Sequence, residues 1–111
     1  MRQDKRERNL YEMVLGEHIS AIVLKRWPFN HHCGIWEKHE PDESGRQYRI
    51  LLNKTRGIRC GKMTLIHELV HICDDLNEVE RSNGATEDKA LGFYENNRGF
   101  VDYLWRRYVN N

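Results

Sequence analysis

The strongest constraint on this chain lies in residues 62–77, where one segment must satisfy two demands. Leu65, Ile66, Leu69, Val70, Ile72, Cys73 and Leu76 recur at three- and four-residue steps, which predicts a helix with a broad apolar face. His67, Glu68 and His71 share the remaining polar side, while Leu69, Val70 and Cys73 point away from it. Such a helix has to be packed along one side and left open along the other. The rest of the 111 residues must supply the packing.

A chain of this length has room for one hydrophobic core, so residues 1–111 read as a single domain. With 39% hydrophobic and 32% charged residues it can fill that core, and it is too charged for a membrane protein. The longest apolar run, residues 19–24 interrupted by Ser20, is too short to span a bilayer. Glu17 and His18 precede that run and no small-residue cleavage site follows, so it is not laid out as a signal peptide. The expected location is cytoplasmic, with no membrane partner. Eighteen Lys and Arg against 17 Asp and Glu leave a formal +1, which argues against nucleic acid as a partner. Cys33, Cys60 and Cys73 form an odd set without regular spacing, and reduced thiols are expected.

Residues 4–26 carry Leu10, Met13, Val14, Ile19, Ile22 and Val23 at helical steps, predicting an amphipathic helix that Trp27-Pro28 ends. Residues 34–39 and 47–53 are rich in strand-forming residues and flank Pro41-Asp42-Glu43-Ser44-Gly45, which is turn chemistry. They predict a short antiparallel hairpin. Gly57 and Gly61 then bracket a loop before the helix of residues 62–77. Ser82-Asn83-Gly84 marks a break, and Thr86 is the expected N-cap of a last helix, with Glu87 and Asp88 at its positive end. That helix carries Ala90, Leu91, Tyr94, Val101, Leu104, Trp105 and Tyr108, with a bend or split at residues 96–99. The order helix, hairpin, helix, helix gives an α+β fold.

His67-Glu68-Leu69-Val70-His71 matches the H-E-x-x-H pattern in a helical context. Histidines four apart lie one turn apart on one face, so both imidazoles can reach a single ion, with Glu68 beside them as a base. A catalytic zinc needs a third protein ligand. Residues 72–76, Ile-Cys-Asp-Asp-Leu, hold neither the glycine nor the third histidine of the metzincins, which excludes that class. Asp74 shares the helix face, but positions i to i+7 spread over about 10 Å, too far for one ion. Asp74 or Asp75 is expected instead to accept a hydrogen bond from a ligand histidine. Glu87, sixteen residues past His71 and at the start of the next helix, is the favoured third ligand. Glu78, Glu80 and Asp88 compete with it.

The stretch Met63-Thr64-Leu65-Ile66-His67-Glu68-Leu69-Val70-His71-Ile72-Cys73-Asp74 resembles the active helix of small ImmA/IrrE-like metallopeptidases, and most of all the short phage-borne ones. Residues 87–94, Glu-Asp-Lys-Ala-Leu-Gly-Phe-Tyr, are similar to their glutamate helix. The likeness spans roughly residues 47–95, and the chain departs from larger members in having no added regulatory or DNA-binding domain. The resemblance implies a minimal zincin-like domain of gluzincin type. It also implies zinc bound by His67, His71 and Glu87, Glu68 as the catalytic residue, and a peptide or protein substrate. The alternative is a zinc-stabilised binding module of the same fold, such as a phage-encoded protein that engages a host factor.

Weaker signals surround this one. Tyr94, Arg98, Tyr103 and His39 are candidate donors to a developing oxyanion. His31-His32-Cys33, together with Cys60 and Cys73, matches no zinc-finger spacing and reads better as structural or as a loop near the mouth of the site. The basic residues among the first eight read as a solvated helix start.

Overall fold

The computed structural model describes residues 2–26 and 33–109. In chain order these form α1 (Arg2–Glu17), β1 (Ile19–Lys25), β2 (Gly34–Lys38), β3 (Tyr48–Asn53), α2 (Ile58–Leu76), α3 (Asn83–Asn96) and α4 (Arg98–Leu104). A 3-10 turn, Lys54–Arg56, leads into α2, and a π-helical turn, Trp105–Val109, extends α4. The fold is α+β, with one three-stranded sheet in the order β1-β3-β2. Among the described residues no helix is long and apolar enough to cross a membrane.

The central helix is α2, which packs against the sheet and against α1, α3 and α4. Leu65, Ile66, Leu69, Val70 and Ile72 are fully buried in one cluster with Tyr48, Ile50 and Leu52 of β3 and Tyr11 and Val14 of α1. Alternation along β3 does the rest: Tyr48, Ile50 and Leu52 turn inward, while Arg49 is exposed and pairs with Glu37 across the hairpin. The β2–β3 hairpin forms as the sequence predicts, antiparallel from Gly34↔Leu52 to Lys38↔Tyr48. Its turn is held by Asp42 Oδ1, which accepts the backbone N–H groups of Ser44 and Arg46, each at 2.9 Å. Gly45 takes a φ of 87°, open to glycine at low cost.

Residues 4–26 are not one helix. The helix stops at Glu17, and Ile19–Lys25 pairs in parallel with β3, Val23 opposite Leu51 and Leu24 opposite Leu52. Steps such as Ile19, Ile22 and Val23 fit a helix by spacing, but these β-branched residues are stiff in helices and suit a pleated surface. Pairing with β3 satisfies the backbone and decides the outcome. Trp27 and Pro28 lie outside the described residues.

Two boundaries also differ from expectation. The helix α2 begins at Ile58, and Gly61, expected in a loop, is a buried position inside it. A Cβ on Gly61 would come within 2.7 Å of the Trp105 ring, so the missing side chain is what lets the indole lie on α2. The cap of α3 is Ser82, whose Oγ accepts the Ala85 N–H at 3.1 Å, and Thr86 is buried in the first turn with its hydroxyl donating to the Ser82 carbonyl. Serine and threonine cap by the same chemistry, and Asn83-Gly84 proved no barrier to starting earlier. The expected split falls at buried Asn97, whose Nδ2 donates to the Phe93 carbonyl at 3.0 Å.

Glycine to alanine within a helix normally stabilises by roughly 0.5–1 kcal/mol. At Gly92, where nothing lies within 4 Å of a Cβ, Gly92→Ala is expected to give that gain in urea unfolding. Gly61→Ala must displace Trp105 and is expected to cost about 1–3 kcal/mol. Equal gains at both positions would contradict this packing.

Candidate metal centre

The middle of α2 is packed along a broad apolar face, and Glu68 is buried with that face. His67 and His71, one turn apart, are half-buried, and Glu68 between them is only 5% exposed. The two Nε2 atoms lie 3.0 Å apart. One ligand atom from each of His67, Glu68 and His71 can be chosen so that all three lie within 4.8 Å of one another. Two nitrogens bound to a tetrahedral ion at about 2.0–2.1 Å are separated by roughly 3.3 Å, so the histidine pair sits within a few tenths of the required bite. This group could hold a metal ion, and its donors are borderline imidazole nitrogen and hard carboxylate oxygen.

The electrostatics agree. Burial pulls the His67 imidazole below its ordinary value, against an opposing pull from the Glu87 charge. Burial and the neighbouring His67 do the same to His71, opposed by Asp74. Neutral imidazole is the form that binds a metal. Burial alone pushes the Glu68 carboxyl up to about 8, the expected result for a carboxyl in an apolar pocket without a compensating cation.

The sheet holds this face in place. Trp36 of β2 stacks on His71, ring centroids 6.5 Å apart and planes within 20°. Tyr48 of β3 leans on Trp36 at 6.0 Å, and its hydroxyl donates to the Asp75 carboxylate. Asp75 also pairs with Lys38 of β2 at 3.2 Å. Asp75 is thus tied to the sheet and not to a histidine. Asp74 accepts Arg81 Nε at 2.8 Å and Nη2 at 3.2 Å, so its hydrogen bonds also go elsewhere than expected, although its charge is felt at His71.

A cavity of about 420 Å³ opens beside His67 and Glu68, with His71 outside its lining. His67 and Glu68 line it from α2, Glu87 and Leu91 from α3, and Cys33 and Gly34 from the start of β2. Glu87 therefore faces the same space as His67, on the first turn and a half of α3, while remaining outside the group whose ligand atoms lie within 4.8 Å. Glu78, Glu80 and Asp88 are exposed and do not line it. Nor do the four oxyanion candidates: Tyr94 is buried with Arg98 over its ring, Tyr103 donates to Glu12, and His39 bonds Ser20 and the Glu40 carbonyl. A larger depression lined by Tyr103, Arg106, Arg107 and Tyr108 offers no imidazole, carboxylate or thiol. His31 and His32 lie outside the described residues. Trp36 was not singled out from sequence, and its place in an alternating strand was the available signal.

No family model, curated protein or solved structure matches the chain. Chain loaded with zinc and desalted is expected to retain about one ion, as a single site would. In His67→Ala and in His71→Ala retention should fall to background with the far-UV circular dichroism unchanged. Wild-type retention in both variants, or none in the parent chain, would contradict the centre.

Proposed function

We propose that this chain is a single-domain zinc metallopeptidase of gluzincin type, with a minimal zincin-like arrangement of sheet, histidine helix and glutamate helix. The observation that carries the proposal is Glu68: a buried carboxyl that lines a cavity together with His67, beside a histidine pair whose Nε2 atoms lie 3.0 Å apart. A purely structural metal site needs ligands but no base at that position.

In this reading His67 and His71 hold the ion, with Glu87 turning in from α3 as the third ligand. Bound zinc supplies Lewis acidity, polarising a scissile carbonyl and lowering the pKa of water toward 7. Glu68 accepts a proton from the attacking water and delivers it to the leaving amine nitrogen. Its raised proton affinity favours holding the proton for delivery to the leaving amine. Trp36 orients the His71 ring, and the Tyr48–Asp75–Lys38 contacts fix α2 against the sheet so that the ring does not drift. At the edge of the sheet, β2 begins at the cavity wall, so an extended peptide can add to it as a further strand.

The zinc-stabilised binding module is the second reading, and one observation favours it. None of the four candidate oxyanion donors lines the cavity. The variant Glu68→Gln separates the two readings. An enzyme is expected to keep its zinc and lose peptide cleavage by about 10²- to 10⁴-fold. A zinc-loaded parent chain that cleaves no peptide in a mixed library, with Glu68→Gln indistinguishable from it in partner binding, would favour the module.

A further inference from the structure

Two of the three cysteines, far apart in sequence, meet at the rim of the cavity. Gly34 opens β2 directly against α2, where a Cβ would come within 2.6 Å of Thr64 Cγ2 and 2.8 Å of the Leu51 carbonyl oxygen. That close approach brings the preceding residue onto the same helix face one turn earlier, because Cys60 and Thr64 are four apart. Cys33 Sγ lies 2.7 Å from Cys60 Sγ, and the Cys33 carbonyl is fixed by the Asn53 N–H at 2.8 Å. Both sulfurs belong to half-buried residues, and Cys33 forms part of the cavity wall with His67 and Glu68. Cys73 is buried on the far side of α2, in a separate cavity with Tyr11 and Val70.

The geometry points to Cys33 and Cys60 as a dithiol that closes reversibly to a disulfide by exchange with small disulfides, tying the start of β2 to the first turns of the histidine helix. The chemistry balances with a low-molecular-weight disulfide such as oxidised glutathione as the oxidant. The Cys33 thiolate, reached through the cavity, attacks one sulfur of that disulfide, and one glutathione leaves. Cys60 then attacks the Cys33 sulfur of the mixed disulfide. The protein S–S bond forms, the second glutathione leaves, and the two thiol protons end on the two released glutathiones. Each protein sulfur gives up one electron, and the glutathione disulfide takes two. The two sulfurs already touch, so closure needs no rearrangement of distant chain. Because Cys33 is wall and Cys60 is helix, the bond joins the cavity rim to the helix whatever ion the cavity holds.

The test uses the full chain exposed to excess oxidised glutathione, freed of it, blocked with iodoacetamide in denaturant, and mapped by mass spectrometry without reduction. The expected result is one Cys33–Cys60 cross-link, two glutathiones released per chain, alkylated Cys73, and full reversal by dithiothreitol. Cys33→Ser and Cys60→Ser should each stop at a persistent mixed disulfide on the remaining partner. Alkylation of both Cys33 and Cys60, stable mixed disulfides on both, or a cross-link through Cys73 in the unmutated chain would overturn the assignment.

Discussion

Burial of the Glu68 carboxyl beside the His67–His71 pair is the constraint on which the rest of the structure turns. A carboxyl that is 5% exposed and lacks a compensating cation is costly, and its proton affinity is raised accordingly. Moving it toward solvent would be easy on an outer helix. It is costly on α2, since Leu65, Ile66, Leu69, Val70 and Ile72 lock the broad face next to Glu68 into the core. The unfavourable group is kept where it is by favourable packing elsewhere on the same element, a familiar relation between strain and function.

The surroundings make sense as supports for that helix. Gly61 lets Trp105 lie on its first half, and Gly34 lets β2 press on Thr64. Trp36 covers His71, and Asp75 anchors the C-terminal half to Tyr48 and Lys38. Each contact limits rotation or sliding of α2. A histidine pair that must present both nitrogens to one ion tolerates little of either motion.

What the sequence made legible follows from how local each signal is. The α2 pattern and its H-E-x-x-H residues are contained within five turns of helix, and the structure places them where periodicity does. The hairpin was readable because its turn residues act on their own backbone, as Asp42 does with Ser44 and Arg46. Residues 19–25 were misread because their spacing fits a helix and only pairing with β3, nearly thirty residues later, makes them a strand. Gly61 looked like a loop signal because its partner, Trp105, lies far along the chain. For the same reason the helix position of Asp74, or of Asp75, points to a ligand histidine, whereas Arg81 claims the first and Tyr48 and Lys38 the second. Glu87 reached the cavity by a helix return that spacing suggests, while the meeting of Cys33 with Cys60 had no local signal at all.

In the proposed centre, His67, His71 and Glu87 close around one ion with oxygen and nitrogen donors only. Zinc K-edge X-ray absorption on the loaded chain tests it most directly. The account predicts a four-coordinate shell at about 2.0–2.1 Å with the multiple-scattering signature of two imidazoles, losing one oxygen donor's contribution in Glu87→Ala. A sulfur shell at about 2.3 Å, or fewer than two imidazoles, would contradict it.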